Sequence, residues 1–267
     1  MKIDGYPTIT TLSDNDLLLI ETASDSAYKG IKASDLKAYI GLSSGGSGGG
    51  GSGGTDSLAS DVVLLMPFTT ATGTTDSKGN TTTALNGASI STTQSKWGTG
   101  ALYLNGSQQI SVAHNPAFSM GSSPLTVECW IYPMSNNITI ADKSGQAYVS
   151  YPNWAFSLNS SNQLQTAIGI LNTANIQTGI DSSFPIALNT WYHVCFVWSG
   201  NSFTFYINGI QSGIVNANFT PTDRNAPLVI GIEQGQNSGW FEGYINDFRI
   251  TAAQRYTANF TPPTSLA

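Results

Sequence analysis

The sequence has 267 residues, of which 10% are charged, against an average of about 25% in soluble domains, and a formal net charge of −6. With ten Lys and Arg in total it has no basic patch dense enough for a nucleic-acid backbone. No apolar run approaches the roughly eighteen residues that span a bilayer. Apolar residues make up 40%, enough for a real core. Ser, Thr, Asn, Gln and Gly replace the missing charge and give a neutral, hydrogen-bonding surface that suits sugars, although an ordinary β-rich surface has the same composition. Met1-Lys2-Ile3-Asp4 is not followed by a signal-peptide hydrophobic stretch, so classical secretion is not expected.

In chain order, residues 1–42 read as a very small unit. "DLLLIET" (16–22) has the length of a strand, "ASDS" (23–26) has turn chemistry, and "AYKGIKA" (27–33) is the return strand. In "SDLKAYI", Ser34 is placed to cap a short helix whose one face carries Leu36, Tyr39 and Ile40, with Gly41 ending it. Some forty residues bury too little surface to fold alone, so this unit is expected to fold against copies of itself or a larger assembly. The pattern "TITTLSDNDLLLIETASDSAYKGIKASDLKAYIG" resembles the short N-terminal module of bacteriophage fibres and other virion appendages. That resemblance implies attachment to other virion proteins through residues 1–42, as a homotrimer, on the particle surface after synthesis in the host cytoplasm.

Residues 43–56 open with "SSGGSGGGGSGG", which can bury no face and behaves as a coil of about 17–21 Å end to end. It reads as a slack tether; the same composition is that of an engineered linker.

From residue 57 to 267, strand signals recur at 62–68, 101–105, 109–113, 125–133, 138–143, 154–159, 163–170, 191–199, 202–208, 210–215, 227–233 and 242–251. Most alternate with period two, and no amphipathic helix of ten residues intervenes. Asn208-Gly209 is a hairpin signal for a type I′ turn. The pattern predicts an all-β antiparallel sandwich. In "LTVECWIY", Val127, Cys129 and Ile131 share one face. In "WYHVCFVW", Tyr192, Val194, Phe196 and Trp198 oppose Trp191, His193, Cys195 and Val197. Cys129 and Cys195 read as buried free thiols, with a disulfide as the alternative if the strands are neighbours.

"LYLNGSQQISV", "FSMGSSPLTVECWIYP", "LNTWYHVCFVWSGNSFTFYINGI", "LVIGIEQGQNSGWFEGYINDFRIT" and "RYTANFTPPT" together resemble the laminin G-like branch of the concanavalin A-like lectin/glucanase superfamily. The resemblance implies a jelly roll of two curved sheets, with sugars or protein partners on the concave face or its rim loops. It also implies calcium held by an early aspartate loop and the aspartate before "FRI". Asp76, Asn80 and Asp247 are the candidates here. Thr69 stands where many relatives have an aspartate, and self-bonded turn residues are the other reading of that loop.

No clustered carboxylate pair of the kind glycoside hydrolysis needs is found: Glu128 stands alone in its strand, and Glu242 and Asp247 have an odd offset. His193 reads as a structural strand residue. No enzyme is expected, and a polysaccharide depolymerase is the disfavoured alternative. Sugar recognition needs aromatic faces beside amides or carboxylates. Tyr148, Tyr151, Trp154 and Trp240 are the candidate platforms, and Asp142, Asn153, Gln234, Gln236 and Asn237 their polar partners; packing at sheet edges is the other reading of the two tryptophans. The expectation is a phage appendage that displays a host-glycan-binding head without nucleic-acid or membrane contact. A decoration or cement protein that binds virion proteins only is the alternative.

Overall fold

The computed structural model describes residues 17–21, 28–32, 56–144, 153–169, 176–178, 182, 184–216, 221, 225–234 and 239–264. The chain divides into two compact units, residues 1–48 and 49–267. In the first, β1 (Leu17–Glu21) and β2 (Tyr28–Lys32) pair antiparallel, with Leu17 opposite Lys32 and Glu21 opposite Tyr28. The expected hairpin is therefore present. The expected helix at 34–40 lies outside the described residues.

The second unit is two stacked antiparallel sheets. One has the order β12 (Ile176–Thr178), β11 (Leu164–Gly169), β10 (Ala155–Leu158), β9 (Ile138–Asp142), β16 (Leu228–Ile230), β7 (Gln109–Val112) and β4 (Thr82–Leu85). The other runs β15 (Ile210–Asn216), β14 (Ser202–Ile207), β13 (Tyr192–Trp198), β8 (Leu125–Pro133), β17 (Glu242–Thr251), β6 (Ala101–Asn105) and β5 (Ser89–Ser91). β17 is the hub: it follows β8 along its length, pairs with β6 through its first half, and pairs with β3 (Val62–Met66) through its second.

Each strand expected in this unit is found, and β6, β8 and β17 have the expected bounds. Three were not foreseen, β4, β5 and β12. All are short and polar and lie at a sheet edge or beside one, so they carry no apolar alternation to read. β16 stops earlier than expected, at Ile230. Gly231 has φ 105°, and a Cβ there would lie 2.7 Å from Leu104 Cδ1. The chain must turn there, and only glycine fits.

The core lies between the sheets. Val127, Cys129 and Ile131 of β8 meet Val194, Phe196 and Trp198 of β13, all at or below 1% exposed. Across from them stand Phe156, Leu158, Leu164 and Ile168. Cys195 belongs to the opposite face of β13, where it packs with Val197, Tyr206, Tyr256 and Phe260. The two thiols are free, on opposite faces, and not bridged.

The outer face of the eight-stranded sheet is covered by residues 252–264. Their fold-back is anchored at the β14–β15 hairpin, where Phe260 N donates to Gly209 O at 2.9 Å and Gln211 N donates to Asn259 Oδ1 at 2.8 Å. Asn208 and Gly209 have φ 49° and 77°, as a type I′ turn requires. Beneath this cover Glu128 is fully buried. It bonds to Arg249, His193 and Tyr256, so it does not stand alone in space. Further along the same face, past the row of His193, Trp130 and Asn246, stand Trp191, Tyr132, Tyr244 and Tyr103, with neighbouring rings 4.9–5.9 Å apart.

Candidate functional site

The outer face of the seven-stranded sheet is built differently. Alternation along β9, β10 and β11 sends Ile138, Leu158 and Leu164 into the core and leaves their short polar neighbours outside. Register then decides which of those meet. Ser157 lies opposite Thr139 of β9 on one side and opposite Gln165 of β11 on the other. The three form one row across three adjacent strands. A register shift after Phe156 in the β9–β10 pair brings Thr139, rather than its apolar neighbour, into that row.

The row is the floor of a groove of about 140 Å³, lined also by Asn137, Glu233 and Gly239, with Ile138 and Leu158 at its edges. Its wall is pinned by the bond from Thr139 N to Gly239 O, at 2.8 Å. Trp240 follows, half-buried, before Phe241 enters the core. Thr139, Ser157, Gln165 and Glu233 supply its polar lining. Burial raises the Glu233 carboxyl above its ordinary value.

Asp142 closes β9 beside this groove and is itself fully buried. One carboxyl oxygen accepts from Gln234 N at 2.6 Å, and the other accepts from the Ser144 hydroxyl. Gln234 Nε2 donates to Pro227 O at 2.9 Å and to Asp142 O at 3.3 Å. Burial pushes the Asp142 carboxyl up to about 7, against the pull of its two hydrogen bonds. Asp142 and Gln234 therefore hold in place the turn that carries Glu233; they do not present free groups to a ligand.

The other expected sugar contacts divide. Trp154 is a core residue, 0% exposed, with Nε1 donating to Phe118 O at 2.8 Å. The expectation that it offers a stacking surface is corrected: β10 begins at the next residue, and the inward alternation of that strand takes the indole with it. Asn153 is buried too, and its amide clamps both the N–H and the carbonyl of Met120, at 2.6 and 3.0 Å. Trp240 sits beside the groove. Tyr148, Tyr151, Gln236 and Asn237 lie outside the described residues. Thr139, Ser157 and Gln165 were not foreseen. Each was visible as the polar member of an apolar–polar alternation, but their convergence is set by register.

The residues expected for calcium are arranged otherwise. Asp76 accepts from Leu65 N at 2.7 Å with one oxygen, and from Asn80 N and Nδ2 at 2.8 and 2.7 Å with the other. Asn80 also donates to Val63 O, and its own oxygen accepts from Asn115. A hard cation needs several converging oxygens. Here N–H groups face the carboxylate, and the residues fit a hydrogen-bonded turn rather than a cation site. Asp247 sits in the bulge of β17 at φ 50°, its N–H donating to Pro67 O at 3.3 Å. Among the described residues no group of three His, Cys, Asp or Glu is placed to share a metal.

Residues 104–255 match the concanavalin A-like lectin/glucanases superfamily. No curated protein matches the sequence. Among solved structures, the binding domain of Paraclostridial Mosquitocidal Protein 1 aligns at 19% identity with a TM-score of 0.58, over 74% of this chain and 50% of that one. Domain 4 of AbnA, an extracellular arabinanase from Geobacillus stearothermophilus in complex with arabinotriose, aligns at 19% identity and 0.54, over 73% and 93%. The binding domain of botulinum neurotoxin serotype G aligns at 15% and 0.54, over 72% and 48%. The chain spans about half the length of the two toxin domains. At these identities the likeness is one of fold. The sequence match, which covers more than half of the chain, makes this protein a member of the concanavalin A-like lectin/glucanases superfamily.

Proposed function

We propose that the second unit is a non-enzymatic glycan-binding head and that the chain is a bacteriophage virion appendage, anchored through residues 1–42 and displaying that head at the particle surface. The observation that carries the glycan reading is the Thr139–Ser157–Gln165 row, a line of hydroxyl and amide side chains across three strands, bordered by Glu233. Sugar hydroxyls need such donors and acceptors side by side, and a sheet face supplies them at strand spacing. The arabinotriose complex of AbnA domain 4 supports the idea that this fold can carry a sugar site. Glu233 and Asp142 do not form a hydrolytic pair, because Asp142 is occupied by Ser144 and Gln234.

At about 140 Å³ the groove is small beside the roughly 300–1,000 Å³ of ordinary small-molecule pockets. One head therefore binds weakly, and copies joined through their N-terminal units gain by effective concentration. The resemblance of residues 8–41 to virion modules and the β1–β2 hairpin found there support the anchoring role.

The test is a glycan array probed with the full chain and with Ser157→Trp, which fills the floor of the groove from an outer face. The full chain is expected to bind at least one oligosaccharide. Ser157→Trp should lose at least tenfold in signal at unchanged thermal stability. A full chain that binds no glycan yet holds firmly to phage particles would replace this reading with that of a decoration protein.

A further inference from the structure

Resting on the glycan reading of the groove, we infer that its ligand is a neutral or amino-bearing sugar and that Glu233 is the residue that turns acidic sugars away. A bound carboxylate or sulfate needs a cation or a concentrated set of donors to replace its water. The groove has an anionic wall instead, and each described cation of the sandwich is committed elsewhere. Lys78 donates to Ala59 O, and Lys96 lies over the rings of Trp97 and Trp130, on the opposite sheet. Lys143 is fully buried with Nζ 3.2 Å from His114 Nδ1. Arg249 and Arg255 are bound to Glu128 and Asp56 under the C-terminal segment. Arg224 lies outside the described residues.

The sequence extends the same point. Residues 145–152, 170–175, 179–181 and 235–238, which adjoin in sequence the strands and turns around the groove, contain no Lys or Arg. No cation from those segments can offset Glu233. A ligand ammonium would meet a half-buried carboxylate, where an ion pair is screened less than at an open surface. A ligand carboxylate would meet like charge at the same distance.

The experiment uses the full chain against four classes of probe: neutral trisaccharides (arabinotriose, maltotriose, mannotriose), the glucosamine trimer, the galacturonic acid trimer, and sialyllactose. Binding is followed by ligand-observed NMR and by array signal. The expected result is binding of a neutral or glucosamine probe, with both acidic probes at least tenfold weaker. Glu233→Gln should narrow that gap to about threefold, and it should weaken the glucosamine trimer more than any neutral probe that binds. Preference for an acidic probe, abolished by Ser157→Trp, would overturn this inference and leave the glycan reading standing. An unchanged gap in Glu233→Gln would remove Glu233 from the role. Absence of binding by every probe would sink both.

Discussion

Arg249 grips Glu128 through a single oxygen: its Nε and Nη2 donate to Oε1 at 2.9 and 2.7 Å. The other oxygen, Oε2, accepts from the Tyr256 hydroxyl at 2.8 Å and lies 3.1 Å from His193 Nε2. Arg255 sits 3.7 Å from Oε1 and pairs with Asp56 at 2.7 Å. One carboxylate thus ties β8, β13 and β17 to the residues that begin and end the sandwich.

Glu128→Gln is expected to destabilise the domain by about 3–5 kcal/mol, because it leaves the buried Arg249 guanidinium uncompensated. Urea unfolding followed by tryptophan fluorescence measures it. A change under 1 kcal/mol would show that the pair contributes little net stability where it stands.

Two carboxylates give opposite pH dependences. Burial raises Glu128, but the charge of Arg249, the His193 bond and Arg255 outweigh it and hold the group well below the usual range. Its contribution is present above the unfolded value near 4.5 and fades as pH falls toward the folded one. Asp142 is raised from 3.8 to about 7. Its contribution is greatest below about 4 and is lost as pH climbs through 7, by at most about 4 kcal/mol. Asp142→Asn, which mimics the neutral form, should flatten the stability profile between pH 4 and 7 and exceed the wild type at pH 8. Parallel profiles for the two proteins would contradict the raised value.

Gly209 is the point where the C-terminal segment meets the sheet. A Cβ there would lie 1.8 Å from Phe260 O, at a φ of 77° that already strains an L residue. Gly209→Ala is expected to cost about 2 kcal/mol or more. It should also speed hydrogen exchange at Phe260 and Gln211, whose N–H groups bond across this junction. Retained protection at both amides would contradict the steric reading.

Cys129 and Cys195 are 0% exposed, and burial raises both thiols well above the ordinary value. Neither should react with Ellman's reagent in the native protein, and both should react after unfolding. Fast labelling of either in native buffer would place it at a surface.

The fold was largely legible. Alternation in "LTVECWIYP" and "WYHVCFVW" grouped Cys129 with Val127 and Ile131 and set Cys195 apart from Val194 and Phe196; the pairing of the two strands then put the thiols on opposite faces. Asn208-Gly209 announced its turn. Trp154 was harder: one tryptophan at a strand start reads the same whether it faces the core or a ligand. Its indole bond to Phe118 O, 36 residues away in sequence, fixes the answer. Glu128 could be seen as a lone acid in an apolar strand, but its partner Arg249 is 121 residues distant.

The sequence by itself determined the antiparallel strands and which side chains of each strand share a face. These follow from a local rule: side chains in a strand alternate with period two. Tertiary structure alone decided the groove, because strand register sets which polar residues stand abreast. Thr139, Ser157 and Gln165 meet only after three strands pair, one of them across a bulge. Long-range pairing likewise decided that Asp142 supports the groove while Glu233 lines it, since burial and hydrogen-bond partners are properties of the assembled sheet.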